Sequence, residues 1–257
     1  MFGFFFSAGA LLVVVGALGA SMARRKSKEA WKTYKNVFDE YTLRNLFKLQ
    51  AQGHFEELES PIAIGKESNV FTARTASGER VIVKIYRLET CDFLKMFQYL
   101  RSDPRFEGLR NQRRKTIFAW TKREFRNLMR AREVVRVPAP LVFRDNILVL
   151  ELIGGSEPAP RVKDARPLDP EGFFVEVAKM MGALWRAGLV HGDLSEFNIL
   201  NDAEVPVFID FSQSTVVQDS LAPELLERDC RNVARFFAKL GVAVTVDSLR
   251  EQVLASR

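Results

Sequence analysis

The stretch HGDLSEFN, from His191 to Asn198, decides which fold and chemistry this chain of 257 residues can support. Asp193 and Asn198 lie five residues apart, on a loop that we predict to lead into a short strand, Asn198–Leu200. An aspartate in such a loop can accept a proton, and the amide oxygen can ligate a metal ion. This spacing favours phosphoryl transfer, which needs a metal ion, a cation on the phosphates and a proton acceptor.

A second metal ligand is predicted downstream. The strand Val205–Ile209 pairs with Asn198–Leu200 across a turn and runs directly into Asp210. A carboxylate at the end of a buried strand is costly unless it is paired or holds a cation. Asn198 and Asp210 together therefore predict a site for Mg²⁺ or Mn²⁺, since both ions take oxygen ligands. A strand-terminal aspartate is also a common turn cap, and that alternative stays open on this motif alone.

The cation for the phosphates is sought upstream, where the pattern predicts three strands, Pro61–Ile64, Val70–Arg74 and Glu79–Tyr86. Lys84 lies within the last of them, among β-branched residues. A lysine on an edge strand that blocks aggregation is the alternative interpretation. The long predicted helix Lys115–Val135 carries two candidate carboxylate partners. These are Glu124 and Glu133.

The remaining elements define two lobes. Strands at Leu141–Phe143 and Ile147–Leu152 lead into a loop, Gly154–Pro170, that is rich in proline and divides the chain. Helices at Glu171–Ala187 and Pro223–Leu240 follow, and the second begins at Ala222-Pro223-Glu224, which we do not interpret as the end of an activation segment. We therefore predict an α+β, two-lobed protein-kinase-like fold. Its β-rich N-lobe spans 59–153 and its α-rich C-lobe spans 154–257.

N-terminal helices precede these lobes in the region 24–58, where Thr42 is the predicted cap of a helix that ends at Gly53. The segment 1–23 before them is uncharged, and its residues 2–20 are almost wholly apolar. Nineteen helical residues span about 28 Å, enough for a bilayer core. The basic residues 24–26 would keep the following chain in the cytoplasm. The sequence thus leaves open a single membrane-crossing or peripheral helix, or an upstream start codon with Met22 as the working start.

Composition narrows the class of protein. Hydrophobic residues make up 47% and charged residues 27% of the chain, which permits a packed core. Cys91 and Cys230 are too few for a disulfide framework or a zinc site, and isolated reduced thiols indicate a cytoplasmic protein. Residues 101–136 hold twelve Lys/Arg against four Asp/Glu, a local balance of +8, so the rest of the chain sums to −2 of the total +6. This basic region is either a binding surface for a polyanion or a solvated helix face.

Several motifs together resemble the RIO family of atypical kinases, in its archaeal and eukaryotic first branch. The similarity covers roughly residues 35–254, and Phe197 stands where many relatives have Tyr. The motifs are IGKESNVF (Ile64–Phe71), VIVKIYR (Val81–Arg87), ETCDF (Glu89–Phe93), DPRF (Asp103–Phe106), KREFRNLMRA (Lys122–Ala131), HGDLSEFNIL (His191–Leu200) and IDFSQ (Ile209–Gln213).

The resemblance implies a role for each matched residue, with ATP as the nucleotide. Lys84 would hold the α- and β-phosphates, with Glu124 as its partner, and Ser68 would cover the phosphates. Asp193 would be the catalytic base, with Asn198 and Asp210 as metal ligands, and Asp210 could also become a phosphoaspartate. The backbones of Glu151 and Ile153 would hold the adenine. His191 is expected to brace the catalytic loop by hydrogen bonding.

The resemblance also implies a serine/threonine kinase or ATPase in maturation of the small ribosomal subunit. The basic region 101–136 would then contact pre-ribosomal RNA. Thr90, Ser102 and Thr116 are candidate sites of self-phosphorylation. Two alternatives remain: a small-molecule phosphotransferase of the aminoglycoside-kinase kind, and a nucleotide-gated, non-catalytic factor that binds ribosomal RNA.

Overall fold

The computed structural model describes residues 38–100, 112–155 and 157–255. The helices of these ranges are α1 (Glu40–Ala51), α2 (Phe93–Leu100), α3 (Arg113–Ala131), α4 (Pro170–Arg186), α5 (Ala222–Lys239) and α6 (Val246–Ala255). The strands are β1 (Glu57–Ile64), β2 (Ser68–Arg74), β3 (Arg80–Tyr86), β4 (Pro140–Arg144), β5 (Ile147–Glu151), β6 (Leu189–Val190), β7 (Ile199–Asp202), β8 (Val205–Phe208) and β9 (Thr215–Val216).

The described part of the chain divides into two units, of which the first ends at Lys48 and the second begins at Leu49. In the first unit, the prediction that Thr42 caps α1 is wrong. Asp39 accepts hydrogen bonds from the backbone N–H of Thr42 at 3.0 Å and from its hydroxyl at 2.6 Å. Asp39 is therefore the cap, because its short carboxylate reaches the unpaired N–H groups of the first turn. The helix ends before Gly53, as predicted.

Several expectations fall on residues that the structure does not describe. These are the apolar segment 1–23, residues 24–37 of the N-terminal region, residues 101–111 of the basic region, and Ser102. Among the helices of the described ranges, none is long and apolar enough to cross a membrane.

A five-stranded antiparallel sheet in the order β1-β2-β3-β5-β4 forms the N-lobe. Strand β3 lies at its centre, with Lys84 opposite Val70 on β2 and Leu148 on β5. The alternative of an edge-strand lysine is therefore wrong. The first strand begins at Glu57 rather than Pro61, so the predicted boundary at residue 58 falls inside β1.

Helix α3 lies against this sheet, and Phe125 of the helix contacts Phe143 of β4 with 4.9 Å between ring centroids. Most of β3 is buried on both faces as a result. A β-branched strand sandwiched in this way loses solvent on both sides, so its one lysine is forced to find buried partners.

The C-lobe is built around an apolar core between α4, α5 and α6. Asp169 caps α4 by accepting the N–H of Gly172 at 3.0 Å, and Pro170 is its first residue. Strands β7 and β8 pair antiparallel, with Ile199 opposite Phe208, as predicted. Helix α5 begins at Ala222, which confirms that this tripeptide starts a helix.

Both cysteines are free and buried. Burial raises the pKa of each thiol to about 12. The thiols therefore stay protonated at neutral pH. Cys91 donates its thiol to the Glu67 carbonyl at 2.9 Å, and Cys230 packs in the apolar core of the C-lobe.

Candidate active site

Lys84 lies at the centre of the candidate site, between two carboxylates from different lobes. Its Nζ is 2.8 Å from Glu124 Oε1 on α3 and 3.0 Å from Asp210 Oδ1 after β8. Lys84 is 6% exposed and Glu124 is fully buried. The structure thus brings together three distant residues, because Glu124 follows Lys84 by 40 positions and Asp210 follows Glu124 by 86.

The two carboxylates set the protonation state of this cluster. Burial alone would lower the pKa of Lys84, but the charges of Asp210 and Glu124 outweigh it and raise that pKa. Burial would likewise raise the pKa of Asp210, yet the Lys84 ammonium brings it down to about 2. Lys84 is therefore charged and Asp210 ionised throughout the neutral range.

The second oxygen of Glu124 is also bonded. Tyr86, two residues after Lys84 on β3, donates its hydroxyl to Glu124 Oε2. The sequence did not point to Tyr86, although its place on the same strand face as Lys84 was visible from the alternation. Glu133, the other candidate carboxylate, is exposed and lies beyond the end of α3.

The loop after β6 holds Asp193 beside this cluster. Asn198 donates its amide Nδ2 to the Asp193 carbonyl at 2.8 Å and to Asp193 Oδ2 at 3.3 Å. Arg228 of α5 lies 3.9 Å from Asp193 Oδ1. Burial raises the pKa of Asp193, the charge of Asp210 adds to this shift, and Arg228 and Lys95 oppose it. A carboxylate with a raised pKa and an open approach is suited to accept a proton.

His191 braces the loop, as predicted. Its Nε2 lies 3.0 Å from the Ile209 carbonyl, and its Nδ1 accepts the Asp193 N–H at 3.3 Å. Burial lowers the pKa of His191 to about 4, so the ring is neutral. With Nδ1 accepting, Nε2 carries the proton and donates to Ile209. The ring thereby links Ile209, the residue before Asp210, to the backbone N–H of Asp193.

A buried aspartate on α5, which the sequence analysis missed, binds the backbone of the loop that carries Asp193. Asp229 of α5 accepts the N–H of Gly192 and the N–H of Leu194, both at 2.7 Å. Gly192 has φ 81°, and a Cβ there would lie 2.9 Å from the Gln213 carbonyl. The glycine of HGD is therefore required by the backbone. A polar residue on the apolar face of α5 was the available signal for Asp229.

Replacing Asp229 with Asn is expected to remove a pH dependence of stability. Burial raises the pKa of Asp229 from 3.8 to about 7, so the folded protein binds a proton that the unfolded chain has lost. The free energy of unfolding should then fall as pH rises through this window, by at most about 1.4 kcal/mol per pH unit. Urea titrations at several pH values would show the slope in the wild type and its loss in Asp229→Asn.

The matched control is Asp247→Asn, an exposed aspartate on α6 that should leave the slope unchanged. Equal slopes in the wild type and in Asp229→Asn would contradict the assignment.

Helix α3 is fastened to the segment after Asp210 by side chains that the sequence analysis did not single out. Asn127 donates to the carbonyls of Phe211 and Ser214 at 3.0 and 2.9 Å. Arg123 donates to the Ser214 carbonyl at 2.9 Å. Because Glu124 lies between these two residues, the bonds fix the distance between the helix and Asp210. Asp210 itself has φ 63°, a left-handed conformation that an aspartate tolerates.

The loop before β2 carries the predicted phosphate contact. Ser68 is the first residue of β2 and pairs with Tyr86, at the end of the sheet nearest Lys84. Lys66 and Glu67 turn their carbonyls towards the segment after β3. Thr90 Oγ1 donates to Lys66 at 2.7 Å, and the Arg87 N–H donates to Glu67 at 2.9 Å.

The predicted adenine contacts lie where β5 leaves the sheet. Glu151 is the last residue of β5, and its side chain accepts the Ala139 N–H at 2.9 Å. The Ile153 carbonyl accepts the Ala159 N–H at 2.8 Å. An adenine at Ile153 would therefore have to be met by its backbone N–H rather than its carbonyl.

Burial separates the candidate sites of self-phosphorylation. Thr116 is fully buried, and its hydroxyl donates to the Gln112 carbonyl at 3.1 Å, so this candidate is wrong. The first turn of α3 packs it inward, which the charged neighbours in the sequence concealed. Thr90 is exposed.

The donor groups fit a small divalent cation. Asp210 offers an ionised carboxylate, and Asn198 commits its amide nitrogen to Asp193, which leaves its amide oxygen as the ligand atom. Two oxygen donors completed by water and phosphate are typical of magnesium in phosphoryl-transfer sites.

Comparisons with known proteins identify the family. The RIO domain family matches residues 69–249. The chain is 46% identical over 220 residues to the RIO-type serine/threonine-protein kinase Rio1 of Methanocaldococcus jannaschii, covering 85% of this chain and 76% of the relative. It is 43% identical to the Rio1 kinase of Haloferax volcanii, covering 90% and 80%. It is 36% identical to human serine/threonine-protein kinase RIO1, covering 91% of this chain but 43% of the human protein.

Solved structures agree on the fold. The Rio2 kinase–ADP/Mg²⁺–phosphoaspartate complex from Chaetomium thermophilum aligns with a TM-score of 0.63 at 22% identity, covering 81% of this chain and 65% of that one. A second Rio2 structure aligns at 0.61 and is covered to 66%. The two-lobed kinase-like prediction is confirmed. The chain belongs to the RIO domain family and is an atypical protein kinase of the RIO type.

Proposed function

We propose that this protein is an ATP- and Mg²⁺-dependent RIO-type serine/threonine kinase or ATPase that acts in maturation of the small ribosomal subunit in the cytoplasm. One observation carries the catalytic part of the proposal. The buried Lys84 bridges Glu124 and Asp210, and Asp193 is held beside them by Asn198 and Arg228. An ammonium, two metal-ligand candidates and a base in one place are the parts that phosphoryl transfer requires.

Each residue then has a chemical task. Lys84 holds the α- and β-phosphates, because its charge is oriented by Glu124 and stays on at neutral pH. Ser68 and the backbone of its loop cover the phosphates, and the backbones of Glu151 and Ile153 hold the adenine. Asp193 accepts the proton of the attacking hydroxyl.

Asn198 and Asp210 hold Mg²⁺ through their oxygens. The ion, when bound, neutralises charge on the phosphate oxygens. Asp210 reaches this role in ionised form because Lys84 lowers its pKa to about 2.

Asp210 is also the proposed acceptor in an ATPase cycle. A carboxylate oxygen of Asp210 forms a bond to the γ-phosphorus as the bond to the β–γ bridging oxygen breaks, and ADP leaves with that electron pair. Water then cleaves the acyl phosphate and returns the carboxylate and inorganic phosphate. The Chaetomium Rio2 complex is described as containing a phosphoaspartate, which motivates the same proposal here.

A ribosomal RNA partner is supported by charge. Within the described part of the basic region, Lys115, Lys122 and Arg126 are exposed along α3. Lysine and arginine on one helix face are suited to neutralise the phosphates of RNA. Thr90, which is exposed, is the remaining described candidate for self-phosphorylation.

Incubation of the purified protein with γ-labelled ATP and Mg²⁺ tests the proposal. We expect labelled phosphate to be released, and protein-bound label that hydroxylamine removes would report the phosphoaspartate. Acid-stable label would instead report phosphoserine or phosphothreonine, and the kinase form of the proposal. Binding of ATP with neither release nor transfer of label would favour the nucleotide-gated, non-catalytic factor and overturn the proposal.

A further inference from the structure

A row of basic side chains lies along one face of α5, beginning at the catalytic loop and continuing towards the C-terminal end of the helix. We call Arg228, Arg231, Arg235 and Lys239 the α5 basic row. Their spacing of three, four and four residues places them on one side of a helix. Arg231, Arg235 and Lys239 are exposed, and Arg228 is partly buried.

The inner end of the α5 basic row is fixed to the catalytic loop. Arg228 donates to the Gly192 carbonyl and lies 3.9 Å from Asp193 Oδ1. One turn further on, Asn232 donates to the Leu194 carbonyl at 3.2 Å. Buried Asp229, between them, accepts two backbone N–H groups of the same loop. The row therefore begins at the proposed base and has a set direction from it.

The other end of the α5 basic row faces solvent, and nearby carboxylates neutralise only part of its positive charge. Arg231 pairs with Glu227 at 3.4 Å, but Glu227 also has Arg250 at 3.9 Å. Arg235 donates to Oδ1 of the neutral Asn232 at 3.5 Å. The four residues of the α5 basic row and Arg250 contribute five positive charges, and Glu224 and Glu227 contribute two negative charges. This face therefore has an excess of positive charge.

We propose that the α5 basic row docks an acidic segment of a protein substrate while the neighbouring hydroxyl residue reaches Asp193. This inference rests on the proposed function, because it takes Asp193 as the base. A helix rises about 1.5 Å per residue, so Arg235 and Lys239 lie about 10 and 16 Å along α5 from Arg228. An extended peptide covers about 3.3 Å per residue, so acidic side chains about three and five residues from the acceptor would meet them.

The chemistry of the row favours a peptide over RNA. Glu224 and Glu227 stand beside the arginines and would repel a continuous phosphate backbone, whereas single carboxylates can pair with single arginines. Phe236 and Phe237 are the two aromatic residues of this part of α5, and Phe237 is fully buried. Phe236 is partly buried and packs edge-on against Phe237, with 5.2 Å between the ring centroids. It offers no open ring for the base stacking that single-stranded RNA binding uses.

Binding of a fluorescent serine peptide to the full chain, followed by anisotropy at low salt, tests the inference. One peptide carries Asp about three and five residues from the serine, and its matched partner carries Asn there. We expect the Asp peptide to bind about tenfold more tightly, since two ion pairs are added. In the variant Arg235→Glu/Lys239→Glu this preference should disappear, and a peptide with Lys at those positions should bind instead.

Charge reversal on α3, Lys122→Glu/Arg126→Glu, is the matched control and should keep the preference for the Asp peptide. Equal binding of the Asp and Asn peptides to the wild type would overturn the inference. Loss of the preference in the α3 variant alone would overturn it as well. If Arg235→Glu/Lys239→Glu instead loses affinity for oligouridine RNA and not for the Asp peptide, the row is an RNA surface and the inference is wrong.

ATP turnover, measured in the same samples, separates this inference from the proposed function. Arg235 and Lys239 are exposed and lie outside the catalytic cluster, so their variant should turn over ATP like the wild type. A wild type that binds the Asp peptide as expected but turns over no ATP would refute the proposed function and leave the docking surface standing.

Discussion

Asp193→Asn is expected to lower ATP turnover by about 10²- to 10⁴-fold, the usual contribution of a positioned general base. The asparagine keeps the size of the side chain and the bond that Asn198 makes to the residue 193 carbonyl, but it cannot accept a proton. The side chain of Asp193 is 42% exposed, so the fold should lose little stability. Steady-state hydrolysis of ATP with saturating Mg²⁺ is the measurement.

The matched control is Asp164→Asn, an exposed aspartate that pairs with Lys163 at 2.9 Å. It should leave turnover unchanged. Turnover within a few-fold of the wild type in Asp193→Asn would contradict the assignment of Asp193 as the base.

Lys84→Met is expected to abolish turnover and also to reduce the free energy of unfolding at pH 7 by about 3–5 kcal/mol. The lysine is buried between two carboxylates, and its removal leaves the fully buried Glu124 without its cation. Adding Glu124→Gln to this variant should restore most of the stability, because a neutral amide replaces the stranded charge. It should not restore turnover, because the phosphates still lack their cation.

Urea denaturation and ATP hydrolysis of the two single variants and the double variant measure these effects as a cycle. Lys122→Met, an exposed lysine two residues from Glu124 on α3, is the control and should change stability little. Recovery of turnover in the double variant would contradict the proposal that Lys84 holds the α- and β-phosphates. A stability loss below about 1 kcal/mol in Lys84→Met would show that Glu124 simply becomes protonated.

The order of the elements and the family were predictable because they depend on local patterns. The alternation in Val81–Tyr86 and the turn before it identify β3, and the sharp motif at His191–Asn198 identifies the catalytic loop. Boundaries were less accurate, since β1 begins at Glu57 and α3 at Arg113. The cap of α1 was misassigned because Asp39 and Thr42 are both good caps, and only the geometry distinguishes them.

Burial was the property that the sequence concealed. Thr116 stands among arginines and lysines in the chain, yet it faces inward. Asp229 lies in a charged stretch of α5, yet it is buried and holds two N–H groups of the catalytic loop. Which face of a helix is covered depends on what packs against it, and those neighbours come from distant parts of the chain.

By itself, the sequence determined the chemical types and the chain order of the site: a strand lysine, the Asp193 and Asn198 pair, and an aspartate after a strand. The sequence patterns left Glu124 and Glu133 both open as partners of Lys84, and the family resemblance favoured Glu124. The tertiary structure supplies the physical reason, because packing of α3 against the sheet turns Glu124 inward and leaves Glu133 in solvent. Only the tertiary structure decided the opposite pKa shifts of the two aspartates. The pKa of Asp210 falls while that of Asp193 rises, since one has a buried ammonium at 3.0 Å and the other has mainly its burial and the charge of Asp210.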